Sequence, residues 1–274
     1  MRNLRTTTPC PEHIIVLNCY GRGGSGIVWR MIGSSPDVIM TAREWHVGVF
    51  GGAKILRKVA LRAFRSLGIE SFEPLRWYVS KKTVEMQQPA DLANKTGARL
   101  CVIKLMDHHI VFSEMIRRSF RQATFVNLMR HPYGQCESLI RSGLSLEVAS
   151  EWYAEVARMM ARRAESGAIT VRFEDIVTQP MQVCDKLYEA LGIRWPADGR
   201  FDFKIKAYGE QRTEGVSVRD REFIRIAAEE FERWIDPTVL RGERDRLSDH
   251  ERKVIWSLTG EMASHFGYEQ SGSC

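Results

Sequence analysis

The feature that most constrains this chain is the stretch Tyr20-Gly21-Arg22-Gly23-Gly24-Ser25-Gly26-Ile27-Val28-Trp29-Arg30. It follows the apolar run His13-Ile14-Ile15-Val16-Leu17 and opens into a helix-like pattern. Apolar strand, glycine-rich turn and helix together build a phosphate cradle. Glycines let backbone N–H groups converge on an anion, and the helix N-terminus adds a favourable dipole. Gly21 and Gly26 are spaced as in a nucleoside triphosphate P-loop, but Ile27 and Val28 follow where such a loop needs Lys and then Ser or Thr. The sequence therefore predicts an anion seat without the γ-phosphate lysine or the magnesium hydroxyl, a nucleotide site unsuited to ATP hydrolysis. The same two residues argue against a P-loop kinase.

With 274 residues, 44% of them hydrophobic, the chain is long enough for a full core. We expect residues 1–12 to form an N-terminal extension and 13–274 a single α/β domain. The net charge of +6 selects no partner. The basic amphipathic patterns in 51–67 and 219–235 read as solvated faces of surface helices. No aromatic-basic stacking motif accompanies them, so nucleic acid is not an expected partner. Neither an apolar leader core nor a run of ~18 to 20 apolar residues is present, which predicts a cytoplasmic protein without a membrane span. Six cysteines are scattered without a C-x-x-C pair. They read as mostly buried, reduced thiols, and no metal site is expected.

Periodicity places strands near 13–19, 99–104, 123–129 and 168–173, with helices over 27–32, 111–120 and 146–163. Strands alternating with helices imply a central parallel sheet flanked by helices. Ligands of such sheets bind at the carboxyl ends of the strands. The loop 20–26, the segment Lys104 to His109 and the segment Arg130 to Pro132 would all arrive there. The polar, glycine-punctuated stretch 208–220 reads as a long loop of the kind that forms lids.

A second phosphate site is suggested by Phe125-Val126-Asn127-Leu128-Met129-Arg130-His131-Pro132. Arg130 sits at a strand end, where its guanidinium can fork onto phosphate oxygens. Ser138, eight residues on, can add a hydroxyl from the following helix. Taken in order, the glycine loop, the Arg130 to Ser138 pair, Val171-Arg172-Phe173-Glu174-Asp175-Ile176 and Leu191-Gly192-Ile193 resemble sulfotransferases that use 3'-phosphoadenosine 5'-phosphosulfate (PAPS). The resemblance covers roughly residues 13–195, and Gly267-Tyr268 adds a weaker match.

The resemblance implies a P-loop-like sulfotransferase architecture and a metal-free reaction that leaves adenosine 3',5'-bisphosphate. It implies that the loop 22–28 (Arg22, Gly23, Gly24, Ser25, Gly26 and Ile27 among it) holds the 5'-phosphosulfate. Arg130 and Ser138 would hold the 3'-phosphate, and 212–219, with Arg212, would close over the cofactor. One departure stands out: the family's Lys or Arg before the Ser-Gly pair is here Gly24, and its following Thr or Ser pair is Ile27-Val28. Arg22 or Lys104 are the candidate replacements for that cation. The alternative is a family member that binds the nucleotide and transfers nothing.

Lys104-Leu105-Met106-Asp107-His108 is similar to the family's Lys-x-x-x-His segment, making His108 the first candidate base and His109 the next. Glu44, in Thr41-Ala42-Arg43-Glu44-Trp45-His46, stands where several sulfotransferases place a Glu that acts as base or holds the acceptor, and His46 is beside it. Phe173, Glu174 and Asp175 read as anchors of the following helix, and Trp29 and Trp152 as core or pocket wall. The acceptor is expected to be a small molecule, carbohydrate or lipid bearing a hydroxyl or amine. Trp45, Phe50, Phe72, Trp77 and Tyr78 would supply its aromatic wall.

Overall fold

Strand β1 (His13–Cys19) is buried on both faces along nearly its whole length, which its unbroken apolar run requires of a central parallel strand. In the computed structural model it pairs in parallel with β3 (Leu100–Met106) on one side and β4 (Gln122–Met129) on the other. The short β2 (Val38–Met40) and β5 (Ile169–Arg172) complete a five-stranded sheet of order β2-β3-β1-β4-β5, all parallel. The structure describes residues 13–42, 44–45, 79, 81–87, 91, 94–95, 97–204, 223–230, 240 and 245–270. The expectations for the segment 51–67, His46, Phe50, Phe72, Trp77, Tyr78 and the loop 208–220 with Arg212 lie outside them.

Helices cover both faces. Helix α1 (Ser25–Ser34) packs with α5 (Phe173–Thr178) and α6 (Pro180–Leu191) over Ile15, Leu17, Val102 and Val126. On the other face α3 (Pro132–Ile140), α4 (Leu146–Glu165) and α7 (Asp249–His265) cover Ile14, Val16, Ile103 and Leu105. Between β3 and β4 lie a 3-10 turn, Asp107–Phe112, and α2 (Ser113–Ser119). The expected helix over 111–120 thus begins as a tighter turn. Among the described residues no helix is long and apolar enough to cross a membrane.

One expectation about the elements is overturned. Within the stretch read as a helix at 219–235, residues Phe223–Ala227 form strand β7, paired antiparallel with β6 (Arg200–Lys204). Ile226 is buried while its neighbour Arg225 is exposed and binds Asp198 at 2.9 Å and Asp202 at 3.3 Å. Alternation of period two, backed by a partner strand, overrides the weak helical pattern.

The chain order makes β1 the switch point of the sheet, since it leads first towards β2 and β3 and then crosses to β4. Cys19 lies level with Met106 on one side and Leu128 on the other. The segments leaving β1, β3 and β4 therefore emerge together, where open α/β sheets bind ligands.

Candidate active site

The glycine loop is shaped by contacts at each of its glycines. Gly24 has φ +79, and a Cβ there would lie 2.3 Å from the Phe173 ring. The cation usual in the family has no room at this position without displacing Phe173. Gly21 donates its N–H to Asp107 Oδ1 at 2.9 Å and accepts from Gln135 Nε2 at 2.9 Å. A Cβ on Gly21 would stand 2.9 Å from Asp107 Oδ2. Arg22 takes φ 63, and its carbonyl accepts from Arg130 Nη1 at 2.8 Å. Such a left-handed non-glycine residue persists only where surrounding contacts over-determine it.

Helix α1 starts directly from this loop with no side-chain cap and no acidic residue in its first turn, leaving its first N–H groups to an anion or to water. Ile27 is an exception, since its N–H donates to the Gly24 carbonyl at 3.0 Å and closes the turn. Val28 is fully buried in the apolar cluster against β1, so a hydroxyl is replaced there by core packing. Ser25 is buried against the Cys19 thiol, which burial pushes up to about 12 despite the nearby Lys104 charge. Gly23 is buried beside Gln135, and Gly26 is exposed with open space where a Cβ would stand.

Arg22 does not turn towards Lys104. Its Nε donates to Ser138 Oγ at 3.0 Å, which brings it to the residues expected to hold a second phosphate. Arg130, 4% exposed, lays its guanidinium 4.3 Å from the centre of the Phe173 ring. Arg22, Arg130 and Ser138 thus form one basic, hydroxyl-bearing corner beside the loop. Glu174 accepts the His131 N–H at 2.8 Å and so holds the backbone next to Arg130, rather than only the helix that follows it. Arg172 pairs with Asp175 at 3.0 Å.

Across the loop, Lys104 is 8% exposed, its ammonium 5.1 Å from the Trp29 ring centre and 3.3 Å from Glu44 Oε1. Trp29 donates to the Val102 carbonyl at 3.5 Å and forms the floor under that ammonium. Glu44 reaches it because Ala42 N–H binds the Met86 carbonyl at 2.7 Å, fixing the chain after β2. Trp45, expected in an acceptor wall, is fully buried instead, donating to Thr83 Oγ1 at 3.1 Å and packing 5.8 Å from Phe112. Its indole is too large and apolar to stay exposed beside that core.

His108 Nε2 lies 2.6 Å from Glu155 Oε2, and its ring stands edge-on to Trp152 at 4.4 Å. Trp152 donates to Asp107 Oδ1 at 3.2 Å. Gly21, Asp107, Trp152, His108 and Glu155 therefore form one connected chain from loop to histidine. Asp107 holds φ 54, and burial pushes its carboxyl up, opposed by the Gly21 N–H, the Trp152 N–H and the two neighbouring histidines. His109 turns back to the Met106 carbonyl, 2.9 Å from Nδ1.

Asp107, Gln135 and Glu155 take part in this site without having been singled out in the sequence. Only Asp107 carried a signal, since it sits between a strand end and a histidine pair. Among the described residues no group of three His, Cys, Asp or Glu side chains could hold a metal ion.

A sequence model of the sulfotransferase family matches residues 15–197. The chain belongs to the sulfotransferase family. In fold it is similar to the sulfotransferase domain of the olefin synthase of Synechococcus PCC 7002, with TM-score 0.56 and 19% identity over 94% of this chain and 96% of that one. A sulfotransferase domain from the curacin biosynthetic pathway gives TM-score 0.55 and 18% identity over 94% and 98%. At such identities the likeness speaks for the fold. A search of curated proteins gives no match.

Proposed function

We propose that this sulfotransferase takes its sulfuryl group from PAPS and passes it to a hydroxyl or amine of a small-molecule, carbohydrate or lipid acceptor. The observation that carries the reading is the pair of anion seats meeting at one loop. One is the uncapped start of α1, and the other is the corner made by Arg22, Arg130 and Ser138. A nucleotide with phosphates on both its 3' and 5' sides has charge for each, and a singly phosphorylated one does not. Residues 13–274 would form the single catalytic domain and 1–12 its extension.

PAPS, when bound, supplies the sulfuryl group and departs as adenosine 3',5'-bisphosphate. The chain's own residues divide the remaining work. Arg22, Arg130 and Ser138 bind the 3'-phosphate, and the backbone N–H groups of the loop and the first turn of α1 face the 5' side. Lys104, rather than Arg22, supplies the positive charge where negative charge grows during transfer, and Glu44 holds its ammonium. A charge fixed in a half-dry pocket before reaction needs no reorganisation when the transition state forms. His108 takes the acceptor's proton at Nδ1 while its Nε2–H donates to Glu155, which fixes the tautomer and turns the ring.

The test is transfer of labelled sulfate from PAPS to a panel of hydroxylated sugars, lipids and phenols, without divalent metal. Transfer should be observed, and His108→Ala should remove the acid limb of its pH profile, because only neutral imidazole accepts a proton. In parallel, adenosine 3',5'-bisphosphate should raise the melting temperature. The linked stabilisation is ~2.7 kcal/mol at a hundredfold excess over the dissociation constant. Stabilisation without any transfer would support the reading in which the protein only binds the nucleotide, which the glycine at position 24 favours. No stabilisation at millimolar nucleotide would defeat both.

A further inference from the structure

The peptide joining Arg130 to His131 is pinned at both of its polar atoms by buried side chains. Its carbonyl accepts from the Tyr153 hydroxyl at 3.0 Å, and its N–H donates to Glu174 Oε1 at 2.8 Å. Tyr153 is fully buried and Glu174 is 5% exposed. Burying a carboxyl group at such depth is costly unless its oxygens are hydrogen-bonded. The second oxygen, Oε2, accepts from the Tyr268 hydroxyl at 2.8 Å.

Tyr268 belongs to the short segment that follows α7, far from this corner in sequence, and several contacts latch that segment in place. Gly267, at φ +77, turns the chain out of the helix, and its carbonyl accepts from Arg172 Nη1 at 3.3 Å. The Arg172 guanidinium lies 5.3 Å from the Tyr268 ring centre. His131 Nε2 donates to the Glu269 carbonyl at 3.2 Å, the tautomer set by Nδ1 accepting the Tyr133 N–H. The His131 ring also meets the Tyr268 ring edge-on at 5.3 Å. One hydroxyl thus completes a relay of Tyr268, Glu174 and the His131 N–H that ends on the backbone of Arg130. Phe173, the neighbour of Glu174, supports the guanidinium itself.

We propose that Tyr268 is a positioning residue for Arg130: by holding Glu174 in place it sets the guanidinium for the 3'-phosphate, and with it the preference for 3'-phosphorylated nucleotides. The inference rests on the functional reading above, which makes Arg130 a ligand of that phosphate. Tyr268 touches no substrate. Its hydroxyl acts through two intervening groups, so its removal should loosen a geometry without deleting a charge.

The test is calorimetric binding of adenosine 3',5'-bisphosphate and adenosine 5'-monophosphate to the wild type, Tyr268→Phe, Arg130→Ala and the double variant. Tyr268→Phe keeps the ring and its packing. It should lower the ratio of the two affinities about tenfold, equivalent to ~1.4 kcal/mol, while the monophosphate binds as before. In the Arg130→Ala background the same change should leave the ratio unaltered, since coupled residues are not additive. An unchanged ratio in Tyr268→Phe, an equal loss for both nucleotides, or additivity in the double variant overturns the inference. Should Tyr268→Phe fail to fold, Glu174→Gln and Glu174→Ala take its place. A ratio kept by Gln, which retains an oxygen for the His131 N–H, and lost by Ala supports the relay, whereas equal ratios overturn it. A wild type without any 3'-phosphate preference defeats the functional reading itself. A preference that Arg130→Ala removes and Tyr268→Phe leaves intact defeats this inference alone.

Discussion

The corners around Arg130 and Lys104 flank one glycine loop, yet they are built on opposite plans. Apart from the exposed Arg22, the groups at Arg130 are buried: the arginine is 4% exposed, Ser138 3%, Glu174 5%, and the backbone itself is held by Tyr153 and Glu174. At the exit of β3 the partners reach in from half-open ground. The Glu44 side chain is 33% exposed and that of Glu155 52%, although Lys104 and His108 beneath them are well covered. Under the function proposed, the first plan suits a ligand that never changes, because a rigid corner fixes one phosphate geometry. Under the same proposal, the second suits a transfer side where one ligand must arrive, react and leave past the half-open Glu44 and Glu155, while the Lys104 charge beneath them stays covered and in place.

The largest effect expected from this contrast falls on the open side. Replacing Lys104 with Met keeps the apolar stem over Trp29 but removes the charge. Turnover should drop ~10² to 10³, the range seen when one transition-state donor is lost, with nucleotide affinity nearly unchanged. Parallel losses of turnover and affinity, measured by steady-state kinetics and calorimetry, would merge the two corners into one.

A smaller effect should fall on the loop between them. Gly24→Ala forces a Cβ into left-handed backbone and against the Phe173 ring. Urea unfolding should report ~1 to 3 kcal/mol of lost stability, accompanied by weaker binding of adenosine 3',5'-bisphosphate. A stable variant with normal affinity would show that Phe173 yields, and that the Arg130 corner is softer than its burial implies.

The smallest effect concerns Asp107, which joins the loop to the His108 side. Burial raises its carboxyl above the ordinary value, so the folded protein holds that proton more tightly than the unfolded chain does. The stability it contributes is present below the ordinary carboxylate value and is lost as pH rises through the folded one. Asn at this position keeps an acceptor for Gly21 N–H and tolerates φ 54. Asp107→Asn should therefore flatten part of the pH dependence of unfolding and gain stability relative to the wild type towards neutral pH. A wild-type advantage that grows as pH rises would reverse the assigned shift.

Much of the architecture was legible in the chain. The run His13 to Leu17, the glycines after it and the apolar stretches at β3, β4 and β5 are local signals of backbone shape, and they appear in the fold within a residue or two. The β7 strand was misread because five residues carry too little pattern to separate periods of two and 3.6 without the partner strand that decides between them. Arg22 was legible as a loop arginine, but its direction was not. A long side chain beside glycines has many accessible directions, and Ser138 selects one from 116 residues away.

What the sequence alone determined is the loop and its setting: strand, glycine turn and helix, the missing Lys and Ser/Thr, and the order of the motifs that hold Arg130 and Ser138. These depend on dihedral preference and hydrophobic period, which act over a few neighbouring residues. Only the tertiary structure decided that Phe173 fills the space behind Gly24, that Lys104 meets Glu44, and that Glu155 holds His108. Those outcomes depend on which side chains packing brings together across long stretches of chain, and in a close-packed interior a single ring or carboxylate in the way settles where a charge can stand.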